Sequence, residues 1–327
     1  MPSGETIRPA KDARLDKSAP SGSGFTADSD ESGKSHTSVS GVIRAYADLC
    51  KLRIVELLLI SAVPILFLAE QGIPSLLDAV IVIIGGTFAA GSANALNCFI
   101  DRDIDKLMNR TRERSLAQHR VTPHAALVFG VALGVLAVGL FAAFANLLAA
   151  ALTLGAILYY VVIYTMWLKR RTSQSTFWGG ICGSAPVLIA WATVTNSISW
   201  AAFLLFLVVF FWQPPHFWAL AIKYKDDYAR AGIPMLPVVA PMRRVLGESL
   251  VHSWLMVIAS VAVWPLATTP LYGIGAIILG SAFLFEVHRL YAAERRGAEV
   301  RTMRLFHGSI TYLTFLFLLV AVDGLVQ

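Results

Sequence analysis

The chain has 327 residues, 56% of them hydrophobic and 15% charged, with a mean hydropathy of +0.64 and a formal net charge of +6. This excludes an ordinary soluble domain and points to a polytopic membrane protein, whose basic excess serves orientation in the bilayer rather than nucleic-acid binding. Cys50, Cys98 and Cys182 form no CxxC or CxxCH pattern, which argues against a disulfide, a zinc site or covalent haem attachment.

Residues 1–40 are rich in Ser, Gly, Asp and Lys and almost free of large apolar side chains. They cannot bury enough surface to offset the entropy of ordering, so a disordered cytoplasmic tail is expected. They lack the apolar core of a secretory signal, and Glu5, Asp12, Asp16, Asp28, Asp30 and Glu31 argue against a mitochondrial transit peptide. Residues 41–53 are expected to form a short interfacial helix, and 41–327 as a whole a single all-α membrane domain.

Apolar stretches of spanning length lie near 54–70, 78–100, 122–144, 147–167, 175–195, 199–220, 248–267, 270–290 and 306–325. The pattern predicts nine transmembrane helices. All 27 Lys and Arg fall in the N-terminal region or in the connections after spans 2, 4, 6 and 8. The positive-inside rule then places the N-terminus in the cytoplasm and the C-terminus outside, in a cell membrane. The longest cytoplasmic connections follow spans 2 and 6, an arrangement that suits two similar halves. Gly85, Gly86, Gly91, Gly130, Gly134, Gly179, Gly180 and Gly183 suit close helix packing.

Span 2 ends in Asn97-Cys98-Phe99-Ile100-Asp101-Arg102-Asp103-Ile104-Asp105. Read as helix, Asn97, Asp101 and Asp105 are spaced four apart and drift by only about 40° per step, so they share one face, with Asp103 on the other. Carboxylates at the end of an apolar span are costly unless they are paired. Three oxygen donors followed by Arg110, Arg112 and Arg114 suit Mg²⁺ together with an anionic ligand. The plain alternative is a solvated helix end.

Span 6 closes with Trp212-Gln213-Pro214-Pro215-His216-Phe217-Trp218, then Lys223-Tyr224-Lys225-Asp226-Asp227-Tyr228. The prolines remove two backbone donors and are expected to bend the helix. Lys223 and Asp227 can share a face, either for a diphosphate and a metal or as a solvated ion pair. His216 has three readings: an iron ligand, a base, or a structural hydrogen-bonding group. Taken together, an acidic metal-binding face, a basic rim and an apolar interior suit a substrate with a diphosphate head and a hydrocarbon tail. Metal and basic side chains would stabilise the departing diphosphate, and a dry cavity would protect the allylic cation.

Asn97-x3-Asp101-x3-Asp105 followed by Arg110-Thr-Arg-Glu-Arg114 resembles the first aspartate-rich motif of the UbiA superfamily of intramembrane prenyltransferases. Lys51-Leu-Arg53-Ile, Trp178-Gly-Gly, Gly183-Ser-Ala-Pro186, Trp212 to Trp218 and Tyr224 to Pro237 are similar to the branch that farnesylates protohaem IX. The resemblance covers about residues 44–320.

It implies a nine-helix UbiA-type bundle, Mg²⁺ dependence, and transfer of the farnesyl group of farnesyl diphosphate to a vinyl group of haem b, with water added to give haem O. Haem b is then a substrate rather than a cofactor. By position, the resemblance implies that Asn97, Asp101 and Asp105 hold Mg²⁺-diphosphate, with Asp227 as a further metal ligand. Lys223 stands where quinone-type relatives carry an Asp, and the resemblance assigns it to the diphosphate. It also implies Arg53, Arg110, Arg114 and Tyr224 as substrate contacts and His216 as a haem contact. The implied partners are the lipid bilayer and the downstream haem A synthase. The rival readings are a UbiA-type enzyme acting on a quinone or phenolic ring and, more distantly, a secondary transporter. A transporter would place its acids near the midplane rather than at a membrane edge.

Overall fold

The computed structural model describes residues 39–327 apart from 110, 117 and 119. The expected tail, up to residue 38, and Arg110 lie outside the described residues. Every regular element among the described residues is helical. In chain order they are α1 (Val39–Cys50), α2 (Leu52–Glu70), α3 (Leu76–Ile100), α4 (Pro123–Phe144), α5 (Leu147–Leu158, continued by a π-helical segment Tyr159–Leu168), α6 (Ser175–Thr195), α7 (Trp200–Lys223), α8 (Lys225–Arg230), α9 (Leu236–Val239), α10 (Met242–Ala267), α11 (Pro270–Arg295) and α12 (Thr302–Val326). Nine of these, with α5 and its π segment taken as one, are long and apolar enough to cross a membrane. They match the nine expected spans. Helices α10, α11 and α12 run further into the basic side than hydropathy suggests, because amphipathic turns such as Met242–Glu248 stay helical beyond the apolar run.

Short connections on one side are closed by side-chain caps. Ser75 accepts from the Asp78 amide at 3.0 Å, Asn146 from Ala149 at 2.9 Å and Ser199 from Ala202 at 3.1 Å. Asp323, fully buried at the end of α12, accepts from the Thr269 amide at 2.9 and 3.0 Å and so ties that end to the start of α11. The connections on this side, 71–75, 145–146, 196–199 and 268–269, contain no Lys or Arg. The described basic residues all lie at the opposite side.

Successive spans pack on one another, and α12 returns against α2, which closes the bundle; α2 and α12 also pack inward on α6 and α7. Gly324 makes the closure possible, since a Cβ there would lie 2.5 Å from the Phe67 backbone. Pro214 and Pro215 do not end α7, which runs unbroken to Lys223. Beside them Gln213 crosses to α6, where its amide donates to the Gly180 carbonyl at 2.8 Å and to Ser184 Oγ at 3.3 Å.

Candidate active site

The acids of the α3 end sit in a buried knot. Helix α3 ends at Ile100, but the turn that follows keeps helical spacing: the Asp101 amide donates to the Asn97 carbonyl and the Asp105 amide to the Asp101 carbonyl, both at 2.9 Å. Asn97, Asp101 and Asp105 therefore stay in one column, and all three are buried, Asp101 completely. Asp103 points outward, its side chain 58% exposed, where Arg170 grips it through two 2.8 Å hydrogen bonds. The Arg170 guanidinium holds the Asp103 carboxyl below the usual carboxylate range.

Each member of the column has a cationic partner. Lys51 Nζ donates to Asn97 Oδ1 at 2.8 Å. Lys169 pairs with Asp101 Oδ2, and Arg114 holds both oxygens of Asp105 at 2.7 and 2.8 Å. Asn97 turns its amide to Asp101 Oδ2 at 2.8 Å and to Thr165 Oγ1 at 3.2 Å. With Arg170, four cations face the three carboxylates Asp101, Asp103 and Asp105, so the described cluster carries a positive surplus that suits an anionic ligand.

Lys51 sits in the left-handed region, at φ 52° and ψ 59°, where a side chain other than glycine costs about 1–3 kcal/mol. That turn separates α1 from α2 and brings the ammonium to Asn97. Burial pulls the Lys51 pKa down to about 8. Arg114 and Lys169 reinforce the fall, while Cys98 and Asp105 oppose it. Arg53, two residues on, is exposed and makes no contact with the acids among the described residues.

The π segment of α5 supplies the other wall. Its wider turns let Thr165 Oγ1 donate to the Tyr160 carbonyl, five residues back, at 2.8 Å, and set Lys169 beside Asp101. Gly179 makes room for it, since a Cβ there would fall 2.5 Å from the Tyr164 ring.

The connections after α3 and after α7 meet. Ile104 and Met108 of the first pack with Tyr228, Ile233 and Met235 of the second and with Ala221 of α7, with Tyr224 at the edge of the cluster. Asp227 is buried there and ion-paired with Arg230. The Lys223–Asp227 spacing does not bring those two together. The chain turns at Tyr224 (φ −107°, ψ 24°), Lys223 stays exposed with Nζ 5.6 Å from the Tyr224 ring centre, and Asp227 turns inward to a partner three residues on.

His216 lies apart from these acids, between α7 and α12. Its ring is stacked on Trp212 at 4.1 Å and Phe306 at 4.5 Å, and Nδ1 is 2.7 Å from Ser309 Oγ. It is 5% exposed.

Sequence reasoning missed Lys51, Thr165, Lys169, Arg170 and Arg230 as members of the site. Arg230 had a readable signal in its i,i+3 spacing from Asp227. Lys169 and Thr165 had none, because their placement depends on the π turns.

The donor set fits Mg²⁺. Asp101 Oδ1 is buried without a hydrogen-bond partner, with only Arg170 near it at 3.6 Å. Among the described residues no three His, Cys, Asp or Glu side chains gather as a metal cage. Two carboxylates and an amide, completed by substrate oxygens and water, are what a magnesium–phosphate site needs.

The fold and site are those of a spanning helical bundle that holds a buried, cation-paired acid column at one end. Residues 58–310 match the UbiA prenyltransferase family, and the chain belongs to it. It is 53% identical over 323 residues to the protoheme IX farnesyltransferase of Salinispora tropica, covering 98% of this chain and 99% of that one. The protoheme IX farnesyltransferase of Frankia alni is 52% identical over 285 residues, 87% of this chain and 99% of its own. Among solved structures, a digeranylgeranylglyceryl phosphate synthase superposes with TM-score 0.72 at 16% identity, over 88% of this chain and 99% of that one. A UbiA homologue from Archaeoglobus fulgidus, bound to DMAPP and Mg²⁺, superposes with TM-score 0.58 at 18% identity, over 85% and 99%. These two likenesses show that the fold is shared.

Proposed function

We propose that this chain transfers the farnesyl group of farnesyl diphosphate to a vinyl group of haem b, with addition of water, giving haem O and diphosphate. The site is a buried column of oxygen donors, Asn97, Asp101 and Asp105, already countered by Lys51, Lys169 and Arg114. That single observation carries the diphosphate half of the reading. The 53% identity to a protoheme IX farnesyltransferase over almost the whole chain supports the acceptor half.

In this reading Asn97, Asp101 and Asp105 would hold Mg²⁺, with Asp227 as a further ligand from the second connection. When bound, the ion draws charge from the diphosphate oxygens and makes them a better leaving group. Lys51, Lys169, Arg110 and Arg114 bind the diphosphate and neutralise the charge that builds on it as the allylic C–O bond breaks. Lys223 and Arg53 stand at the outer rim and assist capture of the substrate, and Tyr224 closes the floor between the two connections. The packed helices behind the acids keep water from the cation until the vinyl carbon attacks it. The new carbon–carbon bond leaves a cation next to the porphyrin ring. Water adds to that cation and loses a proton, which balances the reaction. The basic side faces the cytoplasm of a cell membrane, and haem O passes to the enzyme that makes haem A.

The test is direct. Full-length protein in lipid nanodiscs, incubated with farnesyl diphosphate, Mg²⁺ and haem b, is expected to yield a porphyrin heavier by one farnesyl group and one hydroxyl group by mass spectrometry. Unchanged porphyrin alongside farnesylation of an added quinone or phenol rejects the haem assignment.

A further inference from the structure

We propose that His252 is the side chain that ligates the iron of the porphyrin acceptor and seats it beside the diphosphate site. This inference rests on the haem reading above. His252 lies on α10, outside the acid cluster. Its Nδ1 is 2.7 Å from the Glu248 carbonyl oxygen. A carbonyl only accepts, so Nδ1 carries the proton and Nε2 carries the lone pair. A ring nitrogen donating to a backbone carbonyl is the arrangement that fixes and strengthens the other nitrogen as a metal ligand. The ring makes no further hydrogen bond among the described residues and is only partly buried.

The surroundings suit a flat apolar macrocycle. Phe177, Trp218 and Phe211 lie 5.2, 5.5 and 6.2 Å from the His252 ring centre. Phe210 is 4.9 Å from Phe177, and the band continues along α7 through Phe206 and Phe203 at stacking distances of 6.1 and 6.0 Å. Phe203 at its far end is 39% exposed, so the band opens onto the lipid-facing surface. Trp218 is completely buried and meets His252 edge-on at 86°; its Nε1–H, like that of Trp191, has no acceptor among the described residues.

The band also reaches the apolar seam where the two connections meet. On α6, the hydroxyls of Ser175 and Thr176 lie 3.7 and 3.8 Å from Met235 Sδ in the cluster that joins the two connections, and the next residue, Phe177, meets His252. Trp218 in turn packs on Leu236 of the second connection. His216 is likewise anchored through Nδ1, to Ser309 Oγ, but both its ring faces are covered and it is almost wholly enclosed.

The experiment is an optical titration of ferric haem into the full-length protein in nanodiscs, with calorimetric binding of farnesyl diphosphate and Mg²⁺ as the check on folding. Wild type is expected to show an imidazole-ligated Soret spectrum. His252→Ala is expected to weaken haem binding at least about tenfold and to lose that spectrum, with added imidazole restoring it, while diphosphate binding persists. His252→Met, close in volume, serves if the alanine variant does not fold, and is expected to give a thioether-ligated spectrum. Wild-type spectrum and affinity retained in both variants, or the same loss appearing in His216→Gln instead, overturns the assignment and leaves the haem reading standing. Wild type that binds the diphosphate but binds no haem overturns both, and haem bound without an imidazole spectrum overturns the His252 assignment alone.

Discussion

Polar residues four apart lead from α3 and from α7 into the connections that follow, and the fold treats the two sets differently. After α3 the Asp101 and Asp105 amides each keep an i to i+4 hydrogen bond, so the spacing of Asn97, Asp101 and Asp105 becomes one buried column. After α7 the chain turns at Tyr224, and Lys223 and Asp227 part, one outward and one inward. Spacing on a sequence encodes a shared face only while the hydrogen-bond ladder continues. The first connection is thus built as the ion-holding element, and the second as a cover that brings one buried acid and an outer basic rim.

The strongest way to break this contrast is to neutralise the column. Asp101→Asn and Asp105→Asn are each expected to lower farnesyl transfer at least about 10²-fold, because each removes charge from the group that stabilises the departing diphosphate. Equal losses on neutralising Asp227 would erase the difference between the two connections. Turnover with haem b and farnesyl diphosphate at saturating Mg²⁺ checks it.

A smaller effect separates the two lysines. Lys169 is buried against Asp101, whereas Lys223 is exposed over Tyr224. Lys169→Met is expected to cut kcat/KM by about 30-fold and to lower thermal stability, since it strands a buried carboxylate. Lys223→Met is expected to cost about threefold, mostly in KM, as an exposed rim charge does. Matching losses would return Lys223 to the interior of the site.

The fold and the column were legible because membranes enforce simple rules. Apolar length gives the spans, and basic residues gathered on one side give their alternation, so nine helices follow from hydropathy and charge alone. Asp103 could be set apart from Asp101 and Asp105 because the turn preserves helical register. What stayed hidden depends on departures from that register. The π turns that bring Thr165 and Lys169 to Asn97 and Asp101 have no mark in Tyr159–Leu168 that distinguishes them from an ordinary apolar helix. The left-handed turn at Lys51 is equally silent, since lysine carries no preference for it. The Asp227–Arg230 pair was readable by spacing, but Lys223 offered a competing partner.

Lys51 gives a pH test of intermediate size. Its pKa falls from 10.5 to about 8 in the folded chain, so the fold disfavours its charged form. The charge therefore costs stability below about pH 8, and that cost fades as the pH rises from 8 towards 10.5. For ligand binding the sign is opposite, because the diphosphate needs the ammonium. KM for farnesyl diphosphate is expected to rise above about pH 8, by up to about tenfold per unit, and Lys51→Arg is expected to flatten the rise, since arginine stays charged. The same alkaline slope in the arginine variant would mean that another group sets it.

The smallest expected effect is at Asp103, and it tests the column most finely. Asp103 is exposed and holds Arg170 away from the buried Oδ1 of Asp101, which that guanidinium approaches only to 3.6 Å. Asp103→Asn removes a solvent-screened ion pair and leaves the column intact, so kcat is expected to change by less than about twofold. The freed Arg170 then has Asp101 as its nearest carboxylate, where it competes with Mg²⁺. The variant is therefore expected to need about two- to fivefold more Mg²⁺ for half-maximal rate, with kcat at saturation preserved. The Asp103–Arg170 pair itself persists well into acid, because the Asp103 pKa is depressed, and it is lost only as the pH falls through that lowered value. A Mg²⁺ titration of wild type and Asp103→Asn above that range isolates the effect, and a loss of kcat at saturating Mg²⁺ as large as that of Asp101→Asn would dissolve the division between an inner and an outer face on which the site is built.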